Sequence, residues 1–194
     1  MHALNRTDLM SLEDYAIERE RFRRKVMEHK QDRRVALGPN VTLYFEDRLT
    51  IRYQIQEMLR AEKLFEPEAI QAELAAYNPL IPDGSNLKAT MMIEFEDATE
   101  RRAVLATLGN IENMVWIEVG SGERTFAIAD DDLERSDSER TSAVHFLRFE
   151  LDASGVHTFK TGGEVAMGVD HPRYAHRVDR LPEAVVHALA KDFD

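Results

Sequence analysis

The sequence has no cysteine among its 194 residues. The chain therefore forms no disulfide, carries no thiolate nucleophile and supplies no cysteine ligand to an iron–sulfur cluster or a zinc site. Any metal ion would have to be held by histidine and carboxylate side chains. Glycine and proline are also scarce, at nine and six residues. With 43% hydrophobic and 31% charged residues, the composition is typical of a soluble globular protein and not of a disordered or fibrous one.

Long apolar segments are missing as well. No run approaches the roughly 18 to 20 residues that span a bilayer, and the opening MHALNRTDLM lacks the apolar region of a secretory signal. We therefore expect a cytoplasmic protein that makes no membrane contact. The length favours a single domain over residues 1–194, with enough chain to bury a substantial core.

Charge is spread unevenly along the chain. Residues 1–66 hold 13 basic and 12 acidic side chains, whereas residues 67–194 hold 12 basic and 24 acidic ones. A basic cluster at residues 19–25 is diluted by neighbouring glutamates. Phosphate contacts need a basic footprint, so we expect no nucleic-acid partner. The consecutive Asp130, Asp131 and Asp132 lack the other positions of a calcium-binding EF-hand loop and indicate a solvated segment.

Local signals predict an α+β protein. Thr7 or Asp8 can cap a first helix that runs toward His29, and we expect this helix to pack on a sheet. Turn sequences beginning at Gly38 and at Gly120 each lie between β-rich runs and predict two hairpins. Further strands are predicted at 87–95, 143–151 and 164–170, and further helices after Pro67, at 98–108 and after Pro182. The resulting fold is a largely antiparallel sheet of about six or seven strands with flanking helices.

The helix predicted after the first hairpin has two different faces. Its apolar side consists of Ile51, Ile55, Met58 and Leu59. A second stripe, at spacings of three, four and seven residues, consists of Tyr53, Gln56, Glu57 and Arg60. Arg60 can clamp a carboxylate or phosphate, and Glu57 can act as a base or a metal ligand. The alternative is a solvated face, or a face paired within the molecule by weak Glu–Arg contacts.

Histidines provide a second set of candidates. His145 alternates with apolar residues on a predicted strand, which is typical of a hydrogen-bonded core histidine. His171 precedes a proline at a predicted strand end, where functional residues often lie. Together with Glu57, these histidines would supply the three ligands that a Zn, Fe or Mn centre with open positions needs. The HExxH and ExxH signatures are absent, so the alternative is that His171 is a turn histidine and the nearby His176 a surface histidine.

Long, specific matches to a known family occur in four segments. They are HKQDRRVALGPNVTLYFEDRLTIRYQIQEMLR at 29–60, YNPLIPDGSNLKATMMIE at 77–94, TSAVHFLRFEL at 141–151 and MGVDHP at 167–172. Together they resemble an uncharacterised bacterial family, the domain of unknown function 3501 family. The resemblance implies no catalytic residue and no cofactor, because the family has no established activity. Its genes lie near those of rubrerythrin-like proteins and iron–sulfur oxidoreductases, which favours a redox or peroxide-stress setting.

These observations predict an accessory or interaction protein with an acidic surface. Its expected partners are rubrerythrin-like or iron–sulfur oxidoreductase proteins, and self-association is a further expectation. Any iron–sulfur chemistry would belong to the partner, because this chain has no cysteine. The alternative is a metal-dependent or acid–base enzyme that acts on a small anionic substrate through histidine and carboxylate side chains. Its catalytic candidates are Tyr53, Glu57 and Arg60, and its metal candidates are Glu57, His145 and His171.

Overall fold

The computed structural model describes residues 2–129 and 141–193, so the Asp130 to Asp132 run lies outside the described residues. The α-helices in these ranges are α1 (Leu12–Gln31), α2 (Arg48–Glu62), α3 (Pro67–Tyr77), α4 (Ala98–Leu105), α5 (Ala153–Lys160) and α6 (Glu183–Leu189). The strands are β1 (Arg34–Leu37), β2 (Val41–Phe45), β3 (Asn86–Ile93), β4 (Val115–Val119), β5 (Thr125–Phe126), β6 (Ile128–Ala129), β7 (Val144–Glu150), β8 (Val165–His171) and β9 (Tyr174–Val178). Within the described ranges, no helix has both the length and the apolar character needed to cross a membrane.

The described strands form two antiparallel sheets. The larger has the order β1-β2-β3-β7-β6, and the smaller has the order β5-β4-β8-β9. The α+β prediction is thus confirmed, but nine short strands in two sheets replace the single sheet of six or seven. The difference arises at residues 125–129, which pair first with β4 and then with β7. This short segment runs from one sheet to the other.

The two sheets enclose one apolar core. Alternate residues of each long strand point into it, as Leu43 of β2, Leu147 of β7 and Met167 of β8 do. Phe159 of α5 and Leu189 of α6 are also fully buried in this cluster. The period-two alternation of apolar residues along the strands therefore determines which face of each sheet is covered.

The β1–β2 turn is held by β9. The Tyr174 hydroxyl donates to the carbonyl of Leu37 at 2.7 Å and accepts the backbone N–H of Asn40 at 3.0 Å. Gly38 in this turn has a φ of 80°, and a Cβ there would lie 2.5 Å from the ring of His176. Glycine is required at this position both by the left-handed backbone and by the close approach of the ring.

The N-terminal helices form a separate layer. A short 3-10 turn, capped by Asn5, comes first, so α1 begins at Leu12 with Ser11 as its N-cap and not at Thr7 or Asp8. The buried side of α1 packs mainly against Tyr53 of α2. This packing replaces the expected contact with a sheet, because the aromatic residues of α1 meet an aromatic residue of α2 and not the strands.

The apolar side of α2 faces α3. Ile51, Ile55 and Leu59 are buried there with Ile70 and Leu74, as the 3.6-residue period predicts. Met58, which the same period placed on this side, is only partly buried. It lies at the margin of the apolar stripe.

A buried arginine joins the helical layer, the larger sheet and the C-terminal segment. Arg33 is 1% exposed, and its guanidinium donates at 3.1 Å to each of the carbonyls of Phe45, Glu46 and Ala188. It also forms a buried ion pair with the carboxylate of Asp192. The planar fork of donors on arginine suits this set of acceptors, which come from residues 45–46 and 188–192.

Asp47 extends this network to the start of α2. One carboxylate oxygen accepts the backbone N–H groups of Leu49 and Thr50, both at 2.9 Å, and so caps the helix. The other lies 2.5 Å from Nε2 of His29 and 3.6 Å from Nε of Arg33. Burial acts to raise the pKa of Asp47, but Arg33, the Thr50 N–H and His29 outweigh it and hold the pKa below its usual value.

Asp192 shows the opposite balance. Burial raises its pKa to about 6, against the lowering effect of Arg33. Among the described residues, its Oδ1 has no hydrogen-bond partner. The Asp192 charge is therefore only partly compensated, which is costly for a buried carboxylate.

The raised pKa of Asp192 predicts a specific pH dependence. Because the folded value of about 6 exceeds the ordinary 3.8, its contribution to stability is fully present below the ordinary value and is lost as pH rises through the folded one. The free energy of unfolding of the natural protein, minus that of Asp192→Asn, should fall by about 2 to 3 kcal/mol from about pH 4 to pH 7. Urea unfolding at each pH measures this difference.

The matched control is Asp179→Asn, because the Asp179 side chain is 86% exposed. Its stability difference should remain flat over the same range. A flat or rising difference for Asp192→Asn would contradict the assigned burial effect.

The packing of α2 gives a second prediction. Ile55→Ala should lower the free energy of unfolding by about 2 to 5 kcal/mol, because the side chain is fully buried and leaves a cavity. Met58→Ala should cost clearly less, since Met58 is only partly buried. Chemical denaturation of both variants tests the order, and equal losses would show that Met58 belongs to the α2–α3 core.

Candidate functional site

Glu57 joins α1 to α2. Arg19 of α1 contacts both of its carboxylate oxygens, through Nε at 2.8 Å and Nη2 at 2.7 Å. The Tyr15 hydroxyl donates to the same carboxylate at 2.5 Å. The sequence offered two interpretations of this helix face, a functional stripe or a face paired within the molecule, and the arrangement matches the second. The bidentate partner of Glu57 is Arg19, however, and not Arg60.

The electrostatics of this cluster disfavour proton transfer by Glu57. Its hydrogen bonds from Arg19 lower the pKa of Glu57, with burial acting in the opposite direction. Burial, followed by the hydrogen bond to Glu57, raises the pKa of Tyr15. A carboxylate with a lowered pKa is a weak base, whereas a general base works best with a pKa near the working pH.

The other members of the Glu57 stripe are dispersed. Tyr53 is buried beneath α1, with its ring centroid 6.0 Å from that of Phe22. Gln56 is buried too, and its side-chain oxygen accepts the N–H of Met10 at 2.6 Å. Arg60 is exposed. The predicted stripe is therefore mostly an internal contact with α1 and the segment before it.

Both histidine candidates are buried. His145 of β7 is 3% exposed, and its Nε2 lies 2.8 Å from Oγ1 of Thr141 and 2.9 Å from the carbonyl of Ser142. These contacts match the hydrogen-bonded core histidine. His171 ends β8, where its Nδ1 accepts the backbone N–H of Arg173 at 3.2 Å. It is 6% exposed, and His176, the surface histidine of the alternative, is partly buried.

The three metal candidates lie on different elements. His145 is in the larger sheet, His171 is in the smaller sheet and Glu57 is on α2. Across residues 2–129 and 141–193, no group of three or more His, Cys, Asp or Glu side chains could hold a metal ion. The structure does not bring these three residues together as ligands.

A cleft of about 300 Å³ opens on the outer face of the larger sheet. Its lining residues come from β3, β7 and β6 of this sheet and from the loop that follows α3. Charged groups lining it include Glu46, Lys88 and Arg148. Apolar groups lining it include Leu80, Ile128 and Phe146. This mixture of apolar walls and a few polar groups is the usual character of a small-molecule site.

Glu46 is the most enclosed charged residue of the cleft, at 9% exposure. One carboxylate oxygen accepts the hydroxyl of Thr50 at 2.6 Å, and the other accepts the hydroxyl of Thr90 at 2.8 Å. Sequence reasoning did not find this site. The sequence feature that could have indicated the cleft is a charged residue at an outward-facing position of an otherwise apolar strand. Lys88 in LKATMM and Arg148 in HFLRFE are such residues.

The fold and the cleft define an antiparallel α+β protein in which a helical layer adjoins two sheets around one core. A family model described as "Protein of unknown function (DUF3501)" matches residues 3–193. The chain belongs to this family, which confirms the resemblance found in its sequence segments.

A solved structure shares the whole fold. The crystal structure of a novel protein of unknown function from Burkholderia pseudomallei K96243, at 1.90 Å resolution, is 49% identical to this chain. The match covers 100% of each chain with a TM-score of 0.95. No curated protein matches the sequence. The comparisons therefore support the family and the fold, and they assign no activity.

The role of Glu57 between the helices can be tested by stability. Glu57→Gln should lower the free energy of unfolding by about 1 kcal/mol, because it weakens charge-assisted hydrogen bonds of a partly exposed pair. Arg60→Gln should change it by less than about 0.5 kcal/mol, as expected of an exposed side chain. Denaturant unfolding of these two variants, of Arg19→Gln and of the double variant Arg19→Gln with Glu57→Gln provides the test. Additive effects of Arg19 and Glu57 would contradict their direct pairing.

Proposed function

We propose that this protein is an accessory or interaction protein that docks onto a redox partner. The observation that carries the proposal is a pair of exposed apolar side chains on the segment between the two sheets. Phe126 and Ile128 are each 47% exposed, whereas Ala127 between them is buried in the core. Both side chains point outward from one extended segment, and we call this pair the edge patch.

The surroundings of the edge patch support a protein interface. Phe126 lies opposite Trp116 in the sheet register, and the Arg124 guanidinium stacks over the Trp116 ring at 3.9 Å. Arg177 lies 5.3 Å from the same ring. Trp116 is 1% exposed, so the two arginines form the surface here, and arginine is enriched at the energetically dominant positions of protein interfaces. Two large apolar side chains next to such a cluster form a more specific surface than a single exposed residue.

Charge favours a basic partner surface. Residues 67–194 hold twice as many acidic as basic side chains, and this net negative charge accelerates encounter with a positively charged partner. The proposed partner class is a rubrerythrin-like or iron–sulfur oxidoreductase protein. Without cysteine, this chain would leave any iron–sulfur cluster to that partner.

The geometry favours this proposal over an acid–base or metal-dependent enzyme built on Glu57. The carboxylate of Glu57 is occupied by Arg19 and Tyr15. Those contacts stabilise the α1–α2 pair and lower the pKa that a general base would need near neutrality.

The proposal predicts that partner capture depends on the edge patch. The tagged protein should recover an iron-containing oxidoreductase from its own host at about 50 mM salt, with lower recovery at about 500 mM, because salt screens exposed charges. The double variant Phe126→Ser with Ile128→Ser should lose the partner at both concentrations. Affinity purification followed by iron analysis and peptide sequencing measures the result.

The matched control removes apolar groups elsewhere. Ile17 and Phe65 are 79% and 68% exposed and lie on or next to the N-terminal helices, so Ile17→Ser with Phe65→Ser should retain the partner. Equal capture by natural protein and edge-patch variant would contradict this docking site. Recovery of no redox protein by the natural protein at either salt would contradict the proposed function.

A further inference from the structure

The outer face of the larger sheet carries an ordered row of side chains. The backbone N–H of Glu46 donates to the carbonyl of Lys88 at 2.8 Å. Lys88 lies opposite Arg148, and Arg148 lies opposite Ile128. Neighbouring strands are about 4.8 Å apart. The acidic Glu46, the positively charged Lys88 and Arg148, and the apolar Ile128 therefore follow one another across the cleft.

Glu46 is a prepared acceptor at one end of this row. Thr50 and Thr90 each donate one hydroxyl hydrogen bond to its carboxylate. An ionised carboxylate has about four acceptor positions, so about two remain. Within the part of the chain that the structure describes, hydroxyl groups orient this buried carboxylate and no cation lies within ion-pairing distance of it. A buried negative charge of this kind is stabilised by a cationic group in the cleft.

Arg148 provides the opposite charge about two strand spacings, or about 10 Å, from Glu46. One of its nitrogens donates to Glu150 at 2.6 Å, and its side chain is 44% exposed. A guanidinium has five N–H donors, so Arg148 retains donors for an anion after that contact. Lys88 stands between the two residues, and its ammonium donates to the carbonyl of Pro79.

Apolar side chains border this row. Leu80 comes from the loop after α3 and Phe146 from β7, whereas Ile128 of β6 lies on the far side of Arg148 from Lys88. The volume of about 300 Å³ lies at the small end of known ligand sites. The cleft therefore matches a short molecule with a positive end, an apolar middle and a negative end.

We propose that this cleft binds a small zwitterion of the ω-amino acid class, with its ammonium group at Glu46 and its anionic group at Arg148. The ammonium donates to the free acceptor positions of the Glu46 carboxylate. The anionic group accepts from the guanidinium of Arg148, and the methylene chain packs against Leu80 and Phe146. This site is separate from the edge patch except that Ile128 belongs to both.

Three matched probes test the proposal by isothermal titration calorimetry at low salt. They are 6-aminohexanoate, hexanoate, which lacks the ammonium, and hexylamine, which lacks the carboxylate. The natural protein should bind 6-aminohexanoate about tenfold or more tightly than either single-charge probe, because each charge-assisted contact contributes about 1.5 kcal/mol or more. Equal affinities for all three, or no heat from 6-aminohexanoate at tens of millimolar, would overturn the proposal.

Two variants assign the ends of the ligand. Glu46→Gln should remove the preference for 6-aminohexanoate over hexanoate, and Arg148→Gln should remove its preference over hexylamine. Arg148 is exposed, so its variant keeps the test valid even where Glu46→Gln fails to fold. Glu164→Gln is the control, since Glu164 is exposed and pairs with Arg180 outside the cleft. Unchanged probe preferences in folded Glu46→Gln or in Arg148→Gln would overturn the assignment.

Discussion

The structure depends on one buried cation. Arg33 binds three backbone carbonyls and the Asp192 carboxylate, and so fixes the C-terminal segment against the junction of β2 and α2. Removing one partner of such a network leaves a buried charge or carbonyl unsatisfied, which costs more than the lost hydrogen bond itself. The same segments also share the apolar core, through Phe45 and Leu189. Arg33 adds a polar connection between the helical layer, the larger sheet and the C-terminal segment.

The same arginine positions the cleft. The Glu46 carbonyl accepts from Arg33, while its side chain lies in the cleft between Thr50 and Thr90. The next residue, Asp47, contacts Arg33 and caps α2. Two adjacent residues thus connect the buried network to the helix and to the cleft. The cleft carboxylate is held by its backbone on one side and by two hydroxyl groups on the other, which is the preorganisation that a specific polar site needs.

Features that depend on residues close together in the sequence could be predicted, and those that depend on residues far apart could not. The hairpins at Gly38 and Gly120 were predicted because their turn signals lie within a few residues. The apolar side of α2 was predicted by its period, except for the marginal Met58. The polar pairs between distant residues were not predicted. Arg19 and Glu57 are 38 residues apart in the sequence, and Arg33 and Asp192 are 159 residues apart. α5 and β9 were missed as well, the former because its ASGVHTFK sequence combines weak helix formers with a glycine. A charged residue gives the same local signal whether it faces water or a partner distant in sequence.

Ile128 links the two proposed binding surfaces. Its side chain is one of the two members of the edge patch and also lines the cleft next to Arg148. A zwitterion packed in the cleft would change the surface that Ile128 offers to a protein, and a protein seated on Ile128 would cover one side of the cleft. By thermodynamic linkage, each ligand changes the binding affinity of the other by the same factor. Docking and small-molecule binding at this edge would then be coupled through one shared side chain, and the coupling would disappear when Ile128 alone is shortened.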